Sequence, residues 1–345
     1  MAPPSSSRLP HGSLVMVTGA NGLIGSHVAD QLLLSGYRVR GAVRNADKSA
    51  WLTRFFADKY GPDKFELTVV PDMSAEGAYD AAVKDAVGIA HVASVMDWAT
   101  LNDVNVVVPK VVRGVTNVLE AAAAAPSVRS VVFTSSTAAV ADAVADLERT
   151  VDETTFNDEA VGRAFAPPPS EPAQRILDVY SAAKTLAEKA AWKFVEERKL
   201  SFVFNSIASN ANFGRPLSVK DQGCASTLRW IRELTDGFPE MPFLKDLPPQ
   251  YFVDVQDVAR LHVAALTFED VAGERIFACA EHYNWNDVLH IIRKKFPDRT
   301  LPDDFPGIGR DKTTVPQKRP VELLKRFGRS GWTTLEESVM MNLED

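Results

Sequence analysis

Cysteine is almost missing from this sequence and histidine is rare, which excludes two common kinds of stabilising centre. Only Cys224 and Cys279 occur among 345 residues, together with six histidines. Neither cysteine stands near a second cysteine or a histidine at the spacing of metal ligands, and the histidines form no zinc pattern of their own. The sequence therefore predicts no metal site and no structural disulfide, as in proteins of the reducing cytoplasm.

Long apolar runs and an excess of basic residues are missing as well. No apolar run approaches the roughly 20 residues that a membrane-spanning helix requires, and the Pro- and Ser-rich residues 1–10 lack the apolar core of a secretory signal. The net charge of −7 argues against nucleic acid as a partner, because a phosphate backbone is met by clustered Lys and Arg. We expect a cytoplasmic monomer or homodimer that acts on a small molecule and binds neither membrane nor nucleic acid.

Strand-like and helix-like segments alternate over most of the chain. Helical stretches separate short apolar runs at residues 14–18, 38–43, 66–70, 88–93, 130–135 and 201–207. This alternation is typical of α/β proteins with a Rossmann-type, doubly wound parallel sheet. Residues 140–178 are rich in acids, Thr and Pro and predict an irregular excursion, after which a helix is expected over about 181–198. The last part of the chain predicts short helices between Pro-rich turns.

A glycine-rich turn joins the first predicted strand to the first predicted helix. Its glycines follow a Gly-x-x-Gly-x-x-Gly spacing. Glycine permits a tight turn and a close approach of the backbone to a pyrophosphate, while the next helix directs free N–H groups and its positive dipole end toward the phosphates. The turn therefore predicts dinucleotide binding by Gly19, Asn21, Gly22, Leu23, Ile24 and Gly25.

The end of the second strand indicates which dinucleotide is bound. NAD-binding proteins usually place Asp or Glu there to hold the ribose 2′-hydroxyl, yet this segment has no acid before Asp47. Arg44 and Lys48 stand where a 2′-phosphate would need a counter-charge, and Arg can donate two hydrogen bonds to phosphate oxygens. We therefore expect NADPH/NADP⁺ as the cofactor.

Tyr180 and Lys184 form a Tyr-x-x-x-Lys pair that the pattern places at the start of a helix. Residues four apart lie on the same helical face. A carbonyl that accepts hydride also needs a proton, and a neighbouring ammonium lowers the pKa of a tyrosine hydroxyl from about 10 toward the working pH. The fifth strand ends in Thr134-Ser135-Ser136, where a serine hydroxyl faces the crevice in which open α/β sheets bind ligands. Together these residues predict proton donation to a carbonyl.

Four segments, in this order, resemble the extended short-chain dehydrogenase/reductase family. They are the glycine-rich turn, the Thr-Ser-Ser strand end, Tyr-Ser-Ala-Ala-Lys from Tyr180, and Tyr-Phe-Val-Asp-Val-Gln-Asp-Val-Ala from Tyr251. Within the family the chain looks most like the yeast and fungal NADPH-dependent carbonyl reductases, which act on aldehydes and ketones, and the similarity runs over residues 9–337. It looks more distantly like the plant dihydroflavonol and cinnamoyl-CoA reductases.

The resemblance implies a role for each residue that matches a family motif. Ser136 would hold the substrate carbonyl, Tyr180 would donate the proton, and Lys184 would bind the nicotinamide ribose and lower the pKa of Tyr180. Further cofactor contacts are implied for Asp72, Met73, Ala93, Ser94, Thr134 and Ser209. Leu247 and Gln250 would border the substrate pocket.

Two positions depart from the family pattern. Arg113 precedes Gly114 in the fourth predicted helix, where many relatives have an Asn that supports a proton relay. Ser209 follows the sixth strand, where the family usually has Pro beside the nicotinamide. The first departure weakens the implied relay more than the reaction, and the second bears on loop rigidity, cofactor contacts or turnover.

The sequence thus predicts NADPH-dependent reduction of ketones or aldehydes to alcohols, with two alternatives. A nucleotide-sugar epimerase or dehydratase on the same fold would retain NAD, and Arg44 with Lys48 argues against that cofactor. A non-catalytic NADP-sensing regulator would not need Ser136, Tyr180 and Lys184.

Three regions are expected along the chain. Residues 1–11 would be a flexible lead-in, and residues 12–210 an NADP-binding Rossmann domain that carries the catalytic residues. Residues 211–345 would form mainly a substrate-binding lobe, with 251–268 returning to the Rossmann domain.

Overall fold

The computed structural model describes residues 7–94, 102–167 and 172–344. The first part of the chain forms, in order, β1 (Leu14–Thr18), α1 (Leu23–Leu34), β2 (Arg38–Val43), α2 (Ala46–Tyr60), β3 (Phe65–Val69), β4 (Ala86–His91), α3 (Val104–Ala124) and β5 (Ser130–Ser136). The middle part forms a 3-10 turn (Thr137–Ala139), β6 (Glu148–Thr150), α4 (Asp158–Phe165), α5 (Pro172–Glu196), β7 (Val203–Ser209), β8 (Ala211–Phe213), the short α6 (Val219–Gln222) and α7 (Leu228–Thr235). The last part forms a 3-10 turn (Pro242–Asp246), β9 (Gln250–Asp254), α8 (Val255–Thr267), β10 (Arg275–Ala278), β11 (Glu281–Tyr283), α9 (Trp285–Lys295), β12 (Lys312–Thr314), α10 (Lys318–Arg326) and α11 (Leu335–Leu343).

A parallel sheet organises the described chain. Its seven strands lie in the order β10-β7-β5-β4-β1-β2-β3, and every neighbouring pair is parallel. The central strands are buried on both faces, as the unbroken run Leu-Val-Met-Val-Thr of β1 illustrates, because helices cover both sides of a parallel sheet. The strand order reverses between β4 and β1, which opens a crevice at the carboxyl ends of those strands. The predicted Rossmann-type α/β fold is thus confirmed.

Helices pack on the two faces of this sheet and divide its core into two layers. On one face α1 packs against α8, and the core there also takes side chains from α2 and α10. On the other face α3 packs against α5. Because alanine is small, the alanine-rich side of α5 lets the two helices approach closely; its buried alanines are Ala182, Ala183, Ala187 and Ala191. No helix in the described parts of the chain is long and apolar enough to cross a membrane.

A second lobe has its own sheet and its own hydrophobic core. Its strands lie in the order β11-β9-β8, and α7, α9 and α11 pack with them and with one another. Aromatic rings fill the core: Phe213 stacks on Phe252 and makes an edge contact with Tyr283. This core is separate from the two layers around the main sheet.

The N-terminal residues are packed against the protein. Ser7 forms an antiparallel bridge with Phe268, and Leu9 is fully buried. The expectation of a flexible lead-in is therefore wrong for residues 7–11, because an apolar side chain and a backbone pairing hold the segment in place. Residues 1–6 lie outside the described residues.

The segment 140–178 is more regular than its composition indicates. It contains β6, α4 and the first turns of α5, which begins at Pro172 rather than near residue 181. Tyr180 consequently lies about two turns inside a helix, not at its start. One cause of the longer helix is tertiary: Arg163 of α4 donates to the buried carboxylate of Asp178 at 2.9 Å.

The last part of the chain adds a strand to the main sheet. β10 pairs in parallel with β7 at the sheet edge, and its four residues are all buried. This strand was not predicted, because four residues are too few to show a period. α10 packs against β10 and α8, so the chain beyond residue 268 also covers the main sheet.

Candidate active site

The carboxyl ends of six parallel strands bring most of the predicted site residues to one edge of the sheet. Neighbouring parallel strands end on the same side, which is where open α/β sheets bind ligands. In the pairing of β5 with β7, Ser136 lies opposite Ser209. The site residue nearest the end of each strand is Gly19 after β1, Arg44 after β2, Asp72 after β3, Ala93 after β4, Ser136 in β5 and Ser209 in β7.

The glycine-rich turn has no room for side chains at two of its positions. Gly19 has a φ of +64°, and a Cβ built there would lie 3.1 Å from the Cα of Ala93. A Cβ on Gly25 would lie 2.2 Å from the carbonyl oxygen of Gly19, so the first turn of α1 packs directly on the loop. Gly22 is the N-cap of α1, and no side chain caps the helix. The N–H groups of this helix end are therefore available to an anion.

Gln222 reaches this turn from the end of α6. Its side-chain amide donates to the backbone carbonyls of Asn21 and Gly22, at 3.4 and 3.1 Å. The side chains of Leu23 and Ile24, the first residues of α1, belong to an apolar cluster instead. Sequence reasoning missed the contact of Gln222, because 200 residues separate it from Gly22.

Thr18 and His91 fix the ends of β1 and β4 beside the turn, and neither was predicted. The Thr18 hydroxyl accepts hydrogen bonds from the backbone N–H groups of Val92 and Ala93, both at 3.0 Å. With its acceptor positions filled, this hydroxyl donates to Nδ1 of His91 at 2.9 Å, so the imidazole carries its proton on Nε2. Burial lowers the pKa of His91 to about 3, which keeps the ring neutral. These bonds hold Ala93, and the half-buried Ser94 that follows it, next to the turn.

Arg44 and Lys48 occupy the exposed side of the crevice. Arg44 directly follows β2, and Lys48 lies in the first turn of α2, where Asn45 caps the helix by accepting the Lys48 backbone N–H at 2.9 Å. Both side chains are exposed, and within the described chain neither has an ion-pair partner. Two free cations at a helix N-terminus have the chemistry of an anion site.

Asp72 and Met73 lie in the loop after β3. The Asp72 carboxylate accepts the backbone N–H and the hydroxyl of Ser74 at 2.8 and 2.6 Å, and these hydrogen bonds lower its pKa. Met73 packs against Gly114 of α3, where a Cβ would lie 2.2 Å from the methionine Cε. Asn117, which sequence reasoning missed, lies one turn further along α3 and donates to the Met73 carbonyl at 2.9 Å. The loop is thus held against α3.

Thr134 links Lys184 to the opposite face of the sheet. Nδ1 of His262 donates to the Val258 carbonyl at 2.8 Å, so Nε2 must accept, and the Thr134 hydroxyl donates to it at 2.7 Å. Burial lowers the pKa of His262 to about 4, so this imidazole is neutral as well. The Thr134 carbonyl accepts from Nζ of Lys184 at 3.4 Å.

Ser136, Tyr180 and Lys184 come together where α5 passes the end of β5. The Ser136 hydroxyl lies close enough to the phenol of Tyr180 to lower its pKa, and it accepts the backbone N–H of Ala138 at 3.2 Å. Lys184 lies one turn further along α5 and is buried, with its ammonium 5.8 Å from the centroid of the Phe133 ring. The three residues therefore form one cluster of a hydroxyl, a phenol and an ammonium.

The electrostatics of this cluster differ from the expectation. Burial raises the pKa of the Tyr180 phenol, and the hydrogen bond with Ser136 opposes that effect without reversing it. Burial also lowers the pKa of Lys184 to about 8, against the opposing charge of Glu188. The net effect on the Tyr180 pKa is upward, because a low-dielectric environment disfavours phenolate; the lowering of this pKa by Lys184 stays a prediction.

The two departures from the family pattern have different surroundings. Arg113 forms an ion pair with Glu120 on the same helix, and both side chains are 40% exposed, so Arg113 lies at the surface. Ser209 is buried at the end of β7, beside Ser136. Of the two, Ser209 is the one that adjoins the cluster of Ser136, Tyr180 and Lys184.

Leu247 and Gln250 are the predicted residues that the structure connects least to this cluster. Leu247 packs against the core of the second lobe, and Gln250 begins β9, where it pairs with Tyr283. Within the described residues no hydrogen bond joins either of them to the cluster. The same parts of the chain contain no group of three or more His, Cys, Asp or Glu that could hold a metal ion.

The parallel sheet and the crevice at its carboxyl edge define the class of Rossmann-type α/β proteins. Residues 15–280 match the model of the Epimerase family, described as the NAD dependent epimerase/dehydratase family. The chain belongs to this family of extended short-chain dehydrogenase/reductases. The resemblance seen in the sequence motifs is thereby confirmed.

Relatives of known sequence or structure extend over nearly the whole chain. Aldehyde reductase 2 of Sporidiobolus salmonicolor is 42% identical over 340 residues, covering 98% of this chain and 97% of that protein. A protein of Aspergillus terreus named NAD-dependent epimerase/dehydratase terH is 39% identical and covers 99% of this chain and 98% of its own. The crystal structure of Gre2 from Candida albicans in complex with NADPH is similar with a TM-score of 0.80 and 27% identity, covering 96% and 97% of the two chains. These similarities support an oxidoreductase.

Proposed function

We propose that this protein reduces a ketone or an aldehyde to the corresponding alcohol with NADPH. When bound, NADPH would supply the hydride. Tyr180 would donate the proton to the carbonyl oxygen, Ser136 would hold that oxygen by a hydrogen bond, and Lys184 would bind the nicotinamide ribose. The observation that carries the proposal is the grouping of Ser136, at the carboxyl end of β5, with Tyr180 and, one helical turn further along α5, buried Lys184.

The proton donor is in the protonation state that the reaction requires. Because burial raises the pKa of Tyr180, the phenol is protonated near neutral pH. As the proton leaves, the Ser136 hydroxyl and the ammonium of Lys184 favour the phenolate that forms, by hydrogen bonding and by opposite charge.

The residues of the crevice fit a dinucleotide with a 2′-phosphate. The turn at Gly19 and Gly25 leaves the end of α1 bare of side chains, which suits a pyrophosphate. Arg44 and Lys48 are exposed and unpaired in the described chain, which suits the phosphate. Asp72, Met73, Ala93, Ser94, Thr134 and Ser209 would complete the cofactor site. The NADPH complex of the similar Gre2 supports the same cofactor.

An NAD-dependent nucleotide-sugar epimerase or dehydratase is the second candidate. The name of the family and that of the Aspergillus terreus relative favour it. The end of β2 argues against it, because no acid stands there to hold a ribose 2′-hydroxyl. A non-catalytic NADP-sensing regulator is disfavoured by the presence of all three residues of the cluster, Ser136, Tyr180 and Lys184.

The experiment that tests the proposal replaces the proton donor. In Tyr180→Phe we expect turnover of a responsive aldehyde, β-keto ester or aryl ketone to fall by about 10²-fold or more, since general-acid catalysis is lost. The dissociation constant for NADPH should stay near that of the wild type, because the aromatic ring is retained and only the hydroxyl is lost. Ketone-dependent NADPH oxidation and fluorescence titration with NADPH measure the two quantities.

Tyr60→Phe is the matched control, because it removes a hydroxyl that bonds Asp30 between α1 and α2, at 2.9 Å. Its turnover should match the wild type. Full activity in Tyr180→Phe would remove that residue from the mechanism. A wild-type protein that is purified with NAD bound and oxidises no NADPH with any carbonyl compound would favour the epimerase instead.

We also propose a division of labour along the chain. Residues 12–210, with 251–268, would bind NADP and carry the catalytic cluster, and the lobe over 211–345 would bind the substrate. Leu247 and Gln250 would then border the pocket. The compartment would be the cytoplasm and the protein a monomer or homodimer.

A further inference from the structure

A buried carboxylate lies one turn beyond Lys184 on α5. Glu188 is fully buried and accepts four hydrogen bonds: from the hydroxyls of Ser135 and Ser206, each at 2.7 Å, and from Nε and Nη2 of Arg275 at 3.0 and 2.8 Å. A carboxylate has about four acceptor positions. All the hydrogen-bonding capacity of this group is therefore used inside the protein.

Arg275 ties this carboxylate to β10, the edge strand of the main sheet. Its side chain is 3% exposed, its guanidinium lies 4.1 Å from the centroid of the Phe156 ring, and it also donates to the Thr155 carbonyl. A buried ion pair contributes little net stability, because the cost of desolvating two charges offsets their attraction. Stability alone therefore does not account for a fully buried pair at this place.

We propose that Glu188, held by Arg275, is a positioning residue that fixes the turn of α5 bearing Lys184 against the end of β5 and supplies a negative charge beside its ammonium for the reduction proposed above. Tyr180, Lys184 and Glu188 are spaced by four residues, so they share one face of α5. The same carboxylate fixes Ser135, the residue next to Ser136. One fully bonded group thus holds the helix and the strand that carry the whole cluster. This inference rests on the proposed function.

Glu188 is the one negative charge that acts on Lys184 within the described residues. It opposes the fall in the pKa of Lys184 that burial causes. The other titratable groups linked to Lys184 are Tyr180 one turn before it, His91 at the end of β4, His262 of α8 through Thr134, and Arg275 beyond Glu188. The two imidazoles are neutral and add no charge near pH 7, because burial lowers the pKa of each far below that.

The test is the pH profile of ketone reduction by the full-length protein at saturating NADPH. Without a neighbouring carboxylate Lys184 loses its proton at lower pH, so the alkaline limb of kcat in Glu188→Gln should move down by about one pH unit. Glu188→Asp keeps the charge and should return the limb to near its wild-type position. If Glu188 acted only in packing, Glu188→Gln would lower the thermal midpoint and leave the alkaline limb of kcat at its wild-type pH.

Asp257→Asn is the matched control. Asp257 is also fully buried, forms an ion pair with Arg260 at 2.6 Å and accepts the Thr333 N–H at 2.7 Å, but it lies in α8, away from Lys184. We expect its thermal midpoint to fall without any displacement of the limb. Glu188→Gln combined with Arg275→Met removes both members of the buried ion pair and leaves no unpaired guanidinium, so it remains testable if Glu188→Gln alone does not fold. Its limb should move in the same direction.

The two proposals fail in different ways. The positioning role would be overturned if the alkaline limb of kcat stayed at its wild-type pH in both Glu188→Gln and the double variant with Arg275→Met. The proposed reductase activity would then still stand. Full activity in Tyr180→Phe would overturn the mechanism itself, whatever the behaviour of Glu188.

Discussion

Burial shifts the pKa values of Tyr180 and Lys184, the two titratable residues of the proposed catalytic cluster, in opposite directions. It raises the pKa of Tyr180 and lowers that of Lys184 to about 8, because a low dielectric disfavours both phenolate and ammonium. Lys184 therefore titrates before Tyr180 as the pH rises. In the proposed reaction the phenol would keep its proton for donation, and loss of the ammonium's proton would end activity at alkaline pH.

Arg44 is the residue on which we propose that the choice of cofactor depends. Arg44→Asp replaces a cation by the carboxylate that NAD-binding proteins use for the ribose 2′-hydroxyl, so we expect preference to move from NADPH toward NADH. Since a bidentate charge-assisted contact would be lost, kcat/KM for NADPH should fall by about tenfold or more. The measurement is kcat/KM for both cofactors with one ketone.

Arg54→Asp changes the net charge equally and is the control for general electrostatics. Arg54 is exposed on the same helix, α2, but lies beyond its first turn. Its cofactor preference should be that of the wild type. If Arg44→Asp also retained the wild-type preference, the 2′-phosphate would have to be held elsewhere.

At the scale of elements, each of the last three residues of β5 contacts a different side chain of a neighbouring helix. Thr134 bonds His262 of α8 and Ser135 bonds Glu188 of α5, while Ser136 lies near the phenol of Tyr180. Side chains alternate between the faces of a strand, so consecutive residues reach helices on both sides of the sheet. The strand end that carries Ser136 is therefore held from both layers.

The helix α8 gives a prediction for stability against pH, because its N-cap is a buried acid. Asp254 is fully buried and accepts the Gln256 N–H at 2.9 Å and the Ser338 hydroxyl at 2.8 Å. Burial and the charge of Asp257 raise the pKa of Asp254 to about 6. The folded state therefore keeps the Asp254 proton up to about pH 6, whereas the unfolded state releases it near pH 4. The stability that the protonated carboxyl contributes is present at low pH and is lost as the pH rises through about 6.

Asp254→Asn keeps a good capping residue but cannot ionise. We expect its stability relative to the wild type to increase between about pH 4 and pH 7, as measured by urea denaturation at several pH values. Asp103→Asn makes the same change at the exposed N-cap of α3 and should show no such trend. The prediction would be contradicted if the difference in the free energy of unfolding between Asp254→Asn and the wild type did not change with pH.

Local signals in the sequence were sufficient for the central elements but not for the contacts between them. The glycine-rich turn, the apolar run of β1 and the Tyr180–Lys184 pair are each visible within a few consecutive residues. The crevice and the pair could therefore be predicted. Glu188 and Arg275 are 87 residues apart, and β10 is too short to show a period. The longer α5 depends on Asp178 and its partner on α4, which no local pattern reveals.

At the scale of the whole molecule, the second half of the chain completes the first. α8 packs on α1, and β10 extends the sheet beyond β7. α10 packs against both α8 and β10. Fully buried apolar side chains of α8 fill the layer on that face, among them Val258, Leu261, Val263 and Leu266. Cofactor domain and second lobe are therefore interleaved along the chain, although their cores are separate.

This interleaving predicts that the fragment 1–210 cannot fold alone, although it contains every residue of the proposed catalytic cluster. Each buried aliphatic side chain contributes about 1.5–3 kcal/mol, so four from α8 together are worth about 6–12 kcal/mol, as much as the whole net stability of about 5–15 kcal/mol for a typical protein. The fragment also leaves Glu188 buried without Arg275, which costs about 3–5 kcal/mol more. We expect no cooperative unfolding transition by circular dichroism, strong binding of a hydrophobic dye, and no NADPH binding. A fragment that unfolds cooperatively and binds NADPH would mean that α8 and β10 cover a sheet that is already stable without them.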